Sequence, residues 1–345
     1  MKYARLGLLL ALLAVCLALP RFFADSAVLT VAVFTLLYAT ATSAWNIFSG
    51  YTGYIALGHA AYFGLGSYAM ALLCQAGHVP GGYQPLLLLP VAGLMAAAFA
   101  VPLGWISLRT RKHSFVVITI AVFFILQLLA FNLRGLTNGS AGMGLPIPPW
   151  SGNFYNVPFY YTALALLLVT LAVSWWIRNS KYGLGLLAIR DDEDRALGLG
   201  VRTGGSKLLV FVISAFFVGM VGALHAYYSE SIFPAFAFNA LFDIAFALMA
   251  FLGGLGTLAG PVLGALILEP AQQFFTIQFS QNGYYLMIYG ALFLVIILLL
   301  PDGIVPTLER VWSKRRGTSL TAAPAALPVA APGPNDSAAG PGVQP

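Results

Sequence analysis

The sequence predicts an all-α polytopic membrane protein with about 8 to 10 transmembrane helices, some of them interrupted by Gly-rich broken or re-entrant segments. Of its 345 residues, 60% are hydrophobic and only 8% are charged, and the mean hydropathy is +0.86. This composition leaves too little polar surface to cover a soluble globule. The apolar runs are continuous and do not alternate with polar positions, so they indicate helices and not barrel strands.

Apolar segments of near-spanning length recur along the whole chain. They cover residues 6–20, 28–48, 54–75, 86–108, 114–131, 159–177, 207–228, 241–269 and 284–300. The first segment follows a basic start, as a signal peptide does, but the small residues that cleavage requires are poorly arranged before Pro20. We therefore expect it to remain as an uncleaved first span.

Lysine and arginine predict the orientation of these spans, because cytoplasmic loops retain them. All of the 17 except Arg21 and Arg134 lie in four clusters. The clusters comprise Lys2 and Arg5; Arg109, Arg111 and Lys112; six positions from Arg178 to Lys207; and Arg310, Lys314, Arg315 and Arg316. A cytoplasmic N-terminus and C-terminus place all four on one side, provided that segment 241–269 does not make one simple crossing.

Two Gly-rich stretches interrupt the apolar pattern. One is "FLGGLGTLAGPVLG" within 241–269, which we interpret as a re-entrant element or two short crossings; the other is "SGYTGYIALGHAAYFGLGSY", residues 49–68. Paired interruptions in the two halves of a transporter indicate its translocation pathway. Glycines that only let helices pack closely are the alternative. The predicted pathway residues are Asn46, Gly50, Gly53, His59, Gly253, Gly254 and Gly256.

Charge is concentrated in one cytoplasmic interval, residues 178–207. Its centre, "AIRDDEDRALGLGV", predicts a short amphipathic helix with Gly198 at its C-terminal cap. Such a helix is a docking surface for a soluble partner, or else a solvated loop whose charges mark topology. After it and the last spans, the composition changes to Ala, Pro, Gly and Ser. We predict a permease domain at 1–313 and a disordered cytoplasmic tail at 314–345.

The sequence offers little for catalysis, metal binding or a cofactor. "GVRTGGSK" has the glycine spacing of a phosphate-binding loop, but Ser206 precedes Lys207, whereas the motif requires lysine before serine or threonine. We therefore expect no ATP hydrolysis by this chain. Cys16, Cys74, His59 and His225 lack ligand spacing, and we expect no metal or cofactor. Membrane carboxylates are predicted only at segment ends (Glu230, Asp243 and Glu269), which favours an external motor over proton coupling and leaves sodium coupling open.

Four motifs occur in a family's order. They are "WNIFSGYTGYIALGHAAYFGLGSYAMALL", "LTNGSAGMGLP", "NSKYGLGLLAIRDDEDRALGLGVRTGGSKLLVFVISAFFVGMVGAL" and "FLGGLGTLAGPVLGALILE". Over most of residues 30–305 the chain resembles the inner-membrane permeases of high-affinity branched-chain amino acid ABC importers of the LivM type. That resemblance implies a multi-pass protein of a bacterial-type inner membrane, in contact with lipid and not with nucleic acid. It also implies cytoplasmic ATP-binding subunits, a second related permease, an external solute-binding protein and a small-molecule solute.

The resemblance gives the charged interval a role. It implies that the interval docks on the ATPase and contributes the residues Arg190, Asp191, Asp192, Glu193, Arg195, Ala196 and Gly198. The expected function is inward movement of branched-chain amino acids, driven by ATP hydrolysed on partner subunits. A urea or short-amide permease of the same architecture, or a stand-alone channel or secondary carrier, remains the alternative.

Overall fold

The computed structural model describes residues 14–22, 26–279, 290–291 and 303–315. The chain divides into two units, Met1–Pro306 and Thr307–Pro345. The described part of the second unit, residues 307–315, is helical. Most of the predicted span 284–300 and nearly all of the predicted tail 314–345 lie outside the described residues.

Helices make up most of the first unit. They are α1 (Ser26–Thr52), α2 (His59–Ala76), α3 (Leu89–Ser107), α4 (Lys112–Asn132), α5 (Asn156–Asn179), α6 (Lys181–Asp191), α7 (Glu193–Gly198), α8 (Thr203–Ser229), α9 (Ala240–Gly253) and α10 (Gly260–Phe279), and α11 (Ile304–Arg315) begins there. Residues 14–22 are also helical. Shorter helical turns lie at Gln84–Leu87, Arg134–Thr137, Gly139–Ala141, Gly152–Phe154 and Pro234–Ala237. A two-stranded antiparallel sheet joins β1 (Met143–Gly144) to β2 (Ser231–Ile232).

Six helical segments among the described residues are long and apolar enough to cross a membrane. They are α1, α3, α4, α5, α8 and the segment Pro234–Gly253 that contains α9. The predicted all-α polytopic fold is confirmed in this form. The finer count of about 8 to 10 spans is not confirmed by length and composition alone.

The core centres on α8, which packs against α1, α2 and α3. Glycines permit the closest contacts: a β-carbon at Gly66 would overlap the backbone of Gly219, and one at Gly222 would overlap the backbone of Phe63. Close backbone approach through small residues is typical of helices packed in a membrane. Glycine therefore brings α8 into direct backbone contact with α2, the helix that follows the first break.

Both predicted interruptions are breaks in the helical backbone. The span predicted at 54–75 was placed too early, because α2 begins only at His59 and residues 53–58 are not helical. Within 241–269 the predicted break is confirmed at 254–259, between α9 and α10. These two helices pack antiparallel, with Gly253 against Gly260 and Met249 against Gly264.

The antiparallel pair α9–α10 returns the chain to the end from which it came. Asn239, just before α9, and Gln273, in the last third of α10, line the same cavity of about 400 Å³. The tip of the pair, residues 254–259, lies at the other end, against α1. A segment with this path satisfies the condition that the basic clusters imposed on 241–269.

Candidate functional site

The first break, residues 53–58, has its backbone polar groups paired by side chains from neighbouring elements. The Trp45 indole donates a hydrogen bond to the Ala56 carbonyl at 2.8 Å, and the Ala56 amide donates to Ser49 Oγ at 3.2 Å. The Leu57 amide donates to Thr119 Oγ1 on α4 at 3.3 Å. Non-helical backbone is tolerated at membrane depth only where such partners replace the helical bonds.

The second break, residues 254–259, is a tight turn that depends on positive φ. Gly254 has φ +120° and Gly256 has φ +77°, conformations that favour glycine. Thr257 closes the turn: its Oγ1 donates to the Gly254 carbonyl at 2.7 Å and accepts from the Gly260 amide at 3.0 Å. The glycines of "GGLGT" are thus required by backbone geometry at this position.

Asn46 joins the second break to α1. Its Oδ1 accepts from the Gly256 amide at 2.8 Å, and its Nδ2 donates to the Thr257 carbonyl at 2.9 Å. One fully buried amide therefore satisfies a donor and an acceptor of the turn at once. Because Asn46 and Gly50 are one turn apart on α1, the tip of the α9–α10 pair lies directly beside the C-terminal turns of α1.

Arg190 reaches the same place from the charged interval. Its Nη1 donates to the Gly50 carbonyl at 2.9 Å. A β-carbon at Gly53, where φ is +71°, would lie 3.0 Å from Arg190 Cγ, and one at Gly256 would overlap Nη1. The structure thus brings together one predicted coupling residue and the predicted pathway residues at 46, 50, 53 and 256. Together with the rest of the turn 254–257, the residues Asn46, Gly50, Gly53 and Arg190 form what we call the junction.

Glu193 also points inward. It accepts hydrogen bonds from Tyr54 Oη and, at 2.5 Å, from Lys207 Nζ. Lys207 is almost completely buried, and its ammonium lies 4.4 Å from the centre of the Tyr54 ring. This ion pair, in which the lysine is buried and the carboxylate is partly exposed, ties α7 to the first turns of α8 and to the start of the first break.

The ion pair affects the titration of the carboxylate. Partial burial by itself raises the pKa of Glu193, but the hydrogen bonds from Lys207 and Tyr54 and the charges of Lys207 and Lys112 outweigh it, so the pKa is lowered. A carboxylate with a lowered pKa stabilises the folded state above its ordinary pKa, and that contribution is lost as the pH falls through the lowered value. The Glu193–Lys207 pair is therefore intact at neutral pH.

The remaining charges of the interval face outward. Asp192 caps α7 by accepting from the Arg195 amide at 3.1 Å, and its carboxylate pairs with the exposed Arg195 guanidinium at 3.0 Å. Asp194 pairs with Arg111 at 3.6 Å, and both side chains are more than three-quarters exposed. Asp191 is exposed, whereas Ala196 is buried. The interval thus has an inner face and an outer face.

The prediction of one helix with Gly198 as its cap was wrong. Asp192 adopts an extended conformation with φ −156° and divides the interval into α6 and α7. Gly198 is the last residue of α7, and the positive φ of +85° occurs at Gly200. The acidic run produces this break, because an Asp at an N-terminal cap starts a new helix.

His59 lies apart from the junction. It is fully buried at the start of α2, and its Nε2 hydrogen bonds with Ser214 Oγ at 2.8 Å. Next to it, the buried Asp243 accepts from the Ala60 amide at 3.0 Å and so caps the N-terminus of α2. Among the described residues no group of three His, Cys, Asp or Glu side chains is placed to hold a metal ion.

The expectation that membrane carboxylates lie only at segment ends was wrong for Glu269. The helix α10 continues to Phe279, so Glu269 lies at its middle, where it is buried and accepts from Gln273 Nε2 at 2.9 Å. Asp243 is in the first turn of α9 but is also buried. The scarcity of carboxylates therefore does not by itself separate motor-driven transport from secondary transport.

Comparison with known proteins places the chain in a family. Residues 27–297 match the family described as "Branched-chain amino acid transport system / permease component". The match covers most of the chain. The chain belongs to this family of permeases.

Individual permeases are similar over most of their length. The LivM permease of Escherichia coli strain K12 is 28% identical over 327 residues, 86% of this chain and 74% of the relative. The LivH permease of Salmonella typhimurium is 28% identical over 294 residues, 79% of this chain and 93% of the relative. The BraD permease of Pseudomonas aeruginosa is 25% identical over 293 residues, 79% of this chain and 94% of the relative. No solved structure matches this permease.

Several residues of the permease that form or border the two breaks were not predicted as site residues. They are Trp45, Tyr54, Lys112, Lys207, Asp243 and Thr257. In the sequence, Lys207 is only the end of a string unlike a true phosphate-binding loop and one of the charges that predict topology. A lysine inside an apolar helix start is itself a signal, because a buried ammonium requires a paired carboxylate.

Proposed function

We propose that this permease is the membrane-spanning subunit of an ATP-driven ABC importer that moves branched-chain amino acids into the cytoplasm. The family match supports transport. The observation that carries the mechanism is the two-faced pair α6–α7: its inner face is bonded to the helix breaks, and its outer face is open. ATP hydrolysis belongs to separate partner subunits, and this chain acts as a transport subunit and not as an enzyme.

The outer face of α6–α7 has the composition of a docking surface. Leu197 is 60% exposed and Leu199 is 83% exposed, beside charges of both signs. A cavity of about 490 Å³ opens there, between the α3–α4 loop and α7, and its charged lining includes Arg109, Arg111, Lys112, Asp191, Asp192, Glu193, Asp194 and Lys207. Apolar anchors with surrounding charges suit a soluble protein partner. We assign this surface to a cytoplasmic ATPase subunit.

The orientation follows from this assignment. With α6–α7 and the other basic clusters in the cytoplasm, both termini are cytoplasmic, and the membrane is a bacterial-type inner membrane. Two crossings by α9 and α10, together with α2 and the N-terminal segment, bring the span number into the expected range of about 8 to 10. A second related permease and an external solute-binding protein complete the importer.

The translocation pathway passes the junction. Gly53, Gly254 and Gly256 occupy the two breaks, where the backbone is not held in a continuous helix. Asn46, Gly50 and Gly253 lie at their contact, in the adjoining ends of α1 and α9. Broken helices that meet are the elements that rearrange in many transporters. His59 directly follows the first break, at the start of α2, and bonds to Ser214 on α8.

A charge-reversal experiment tests the proposal. Asp191→Lys combined with Asp194→Lys alters only outward-facing carboxylates, and Arg134→Glu, at an exposed site in the α4–α5 loop, is the matched control. We expect the double variant to lose co-purified ATPase and ATP-dependent leucine uptake in proteoliposomes, while the control keeps both. Retained ATPase and full uptake in the double variant would contradict the docking assignment. Leucine uptake by the isolated permease without ATPase would contradict the importer itself.

A further inference from the structure

We propose that Arg190 is a positioning residue that transmits movement of α6–α7 to both helix breaks, and that it does not contribute to ATPase docking. This inference rests on the proposed importer function and assigns one residue of the coupling interval a separate task. It starts from the direction of the side chain: Arg190 leaves the C-terminal turn of α6 toward the membrane domain and ends at the Gly50 carbonyl.

Arg190 is held at both ends. At its main chain, Lys112 Nζ from the start of α4 donates to the Arg190 carbonyl at 3.2 Å. At its tip, Nη1 donates to the Gly50 carbonyl at 2.9 Å. A side chain anchored at both ends transfers a displacement of α6 directly to α1, because its remaining rotamer freedom is small.

The Gly50 carbonyl is a suitable acceptor because α1 ends at Thr52. The last four carbonyls of a helix have no partner within it, and a cation near the C-terminus interacts favourably with the helix dipole. Arg190 therefore supplies, from another element, part of the C-terminal cap of α1. Loss of this bond would leave the last turn of α1 and the start of the first break less constrained.

The second break touches the same guanidinium. The turn at Gly256 approaches so closely that a β-carbon there would overlap Nη1, and it would lie 2.9 Å from the Gly50 carbonyl. Gly53, at the start of the first break, approaches the Arg190 stem less closely, and a β-carbon there would lie 3.0 Å from Cγ. One side chain from the cytoplasmic helices thus fills the space between the two breaks. A shift of α6 changes the packing of both breaks together, which is the physical requirement for coupling between distant sites.

The neighbouring Arg195 is a matched control. It lies in the same interval and carries the same charge, but its side chain is 86% exposed and pairs with Asp192 on the outer face. Docking variants and Arg190 variants should therefore fail differently. The former lose the ATPase, whereas the latter keep it and hydrolyse ATP with little transport.

The experiment compares R190A, R190K and R195A in the complete importer reconstituted in liposomes, with three measurements on each: bound ATPase, ATP hydrolysis and leucine uptake. For R190A we expect normal ATPase binding and a fall of about tenfold in leucine transported per ATP hydrolysed, within the usual range of coupling between sites. For R190K we expect a fall of about threefold, since an ammonium does not reproduce the planar guanidinium contact. R195A alters the outer docking face, so we expect less bound ATPase but the wild-type ratio of leucine to ATP for the ATPase that remains bound.

The outcomes separate this inference from the proposed function. A wild-type ratio in R190A with ATPase bound overturns the inference and leaves the importer intact. Uptake and hydrolysis that fall in parallel with bound ATPase assign Arg190 to docking and also overturn it. If R190A is not recovered as an assembled complex, the ratio in R190K decides, and a wild-type value overturns the inference. Wild-type permease that never retains an ATPase fails the proposed function instead.

Discussion

The two helix breaks solve the same problem in different ways. The first, residues 53–58, is an irregular segment whose polar groups bond to side chains on α1 and α4. The second, residues 254–259, is a compact turn that bonds to its own Thr257 and to the single amide of Asn46. The first break therefore has distributed support, and the second has concentrated support.

This difference predicts unequal tolerance to substitution. When several partners share a backbone segment, the loss of one leaves the others in place, whereas the loss of a single shared partner exposes two buried groups at once. The contrast indicates that the second break is the better candidate for an element that switches between two conformations. Few hydrogen bonds would have to break and re-form, and all of them involve the backbone of one turn.

The largest effect is expected at the contact between the two arms of the second break. Gly253→Ala places a β-carbon inside the Gly260 carbonyl, and backbone on both sides prevents relaxation, so we expect a loss of about 3 kcal/mol in the free energy of unfolding. Gly205→Ala, which has open space in α8, is the control and should be neutral or slightly stabilising. The stability of both variants is measured by unfolding in mild detergent, monitored as the loss of the monodisperse species. Equal stability of the two variants would show that α9 and α10 are not packed in this way.

Asn46→Ala should be next. It leaves the Gly256 amide and the Thr257 carbonyl without their partner, so we expect a loss of about 2 kcal/mol in the free energy of unfolding. Asn179→Ala is matched to it, because that amide is exposed and bonds only within its own helix, and we expect little change there. The same unfolding assay ranks the pair. A loss at Asn46 no larger than that at Asn179 would remove the concentrated support from the comparison.

Ser49→Ala tests the distributed support of the first break. It removes the hydroxyl that accepts from the Ala56 amide at 3.2 Å and leaves the Trp45 bond to the Ala56 carbonyl in place, so we expect a loss of about 1 kcal/mol in the free energy of unfolding, less than for Asn46→Ala. Ser231→Ala is the control, because the Ser231 hydroxyl is exposed and bonds only to the nearby Ser229 carbonyl. If Ser49→Ala proves more damaging than Asn46→Ala, the order of the two breaks must be reversed.

The smallest effect belongs to Thr119→Val. Its Oγ1 accepts a long hydrogen bond of 3.3 Å from the Leu57 amide, and the substitution keeps the shape of the side chain. We therefore expect a loss of about 0.5 kcal/mol in the free energy of unfolding. Thr162→Val is the control, since the Thr162 hydroxyl bonds only to its own helix. Thermal midpoints measured in parallel give the difference, and a loss at Thr119 as large as that at Asn46 would contradict shared support.

The sequence predicted the breaks better than it predicted their partners. Glycines and Pro261 in two apolar runs indicated interruptions, and continuous apolar stretches indicated helices, because these signals are local. The meeting of Asn46 with Thr257 joins residues 211 apart, and that of Tyr54 with Lys207 joins residues 153 apart. Periodicity in one sequence states which residues are apolar, but it does not state which helices touch.

The charged interval shows the same limit at shorter range. Its charge density indicated an exposed surface, and the outward Asp194 and Arg195 agree with that pattern. Arg190 and Glu193 carry the same chemistry a few residues away and turn inward instead. Composition does not reveal this difference, since it depends on the division of the interval at Asp192 and on acceptors that other helices supply.

The cap on α2 has a consequence for biosynthesis. The Ala60 amide donates to the carboxylate of Asp243, 183 residues later in the chain. The Leu57 amide donates to the hydroxyl of Thr119, only 62 residues later. Because α9 is synthesised long after α2, the cap from Asp243 forms only once α9 has emerged from the ribosome. The N-terminus of α2 thus gains this hydrogen bond late in synthesis, after the bond between Leu57 and Thr119 has become available.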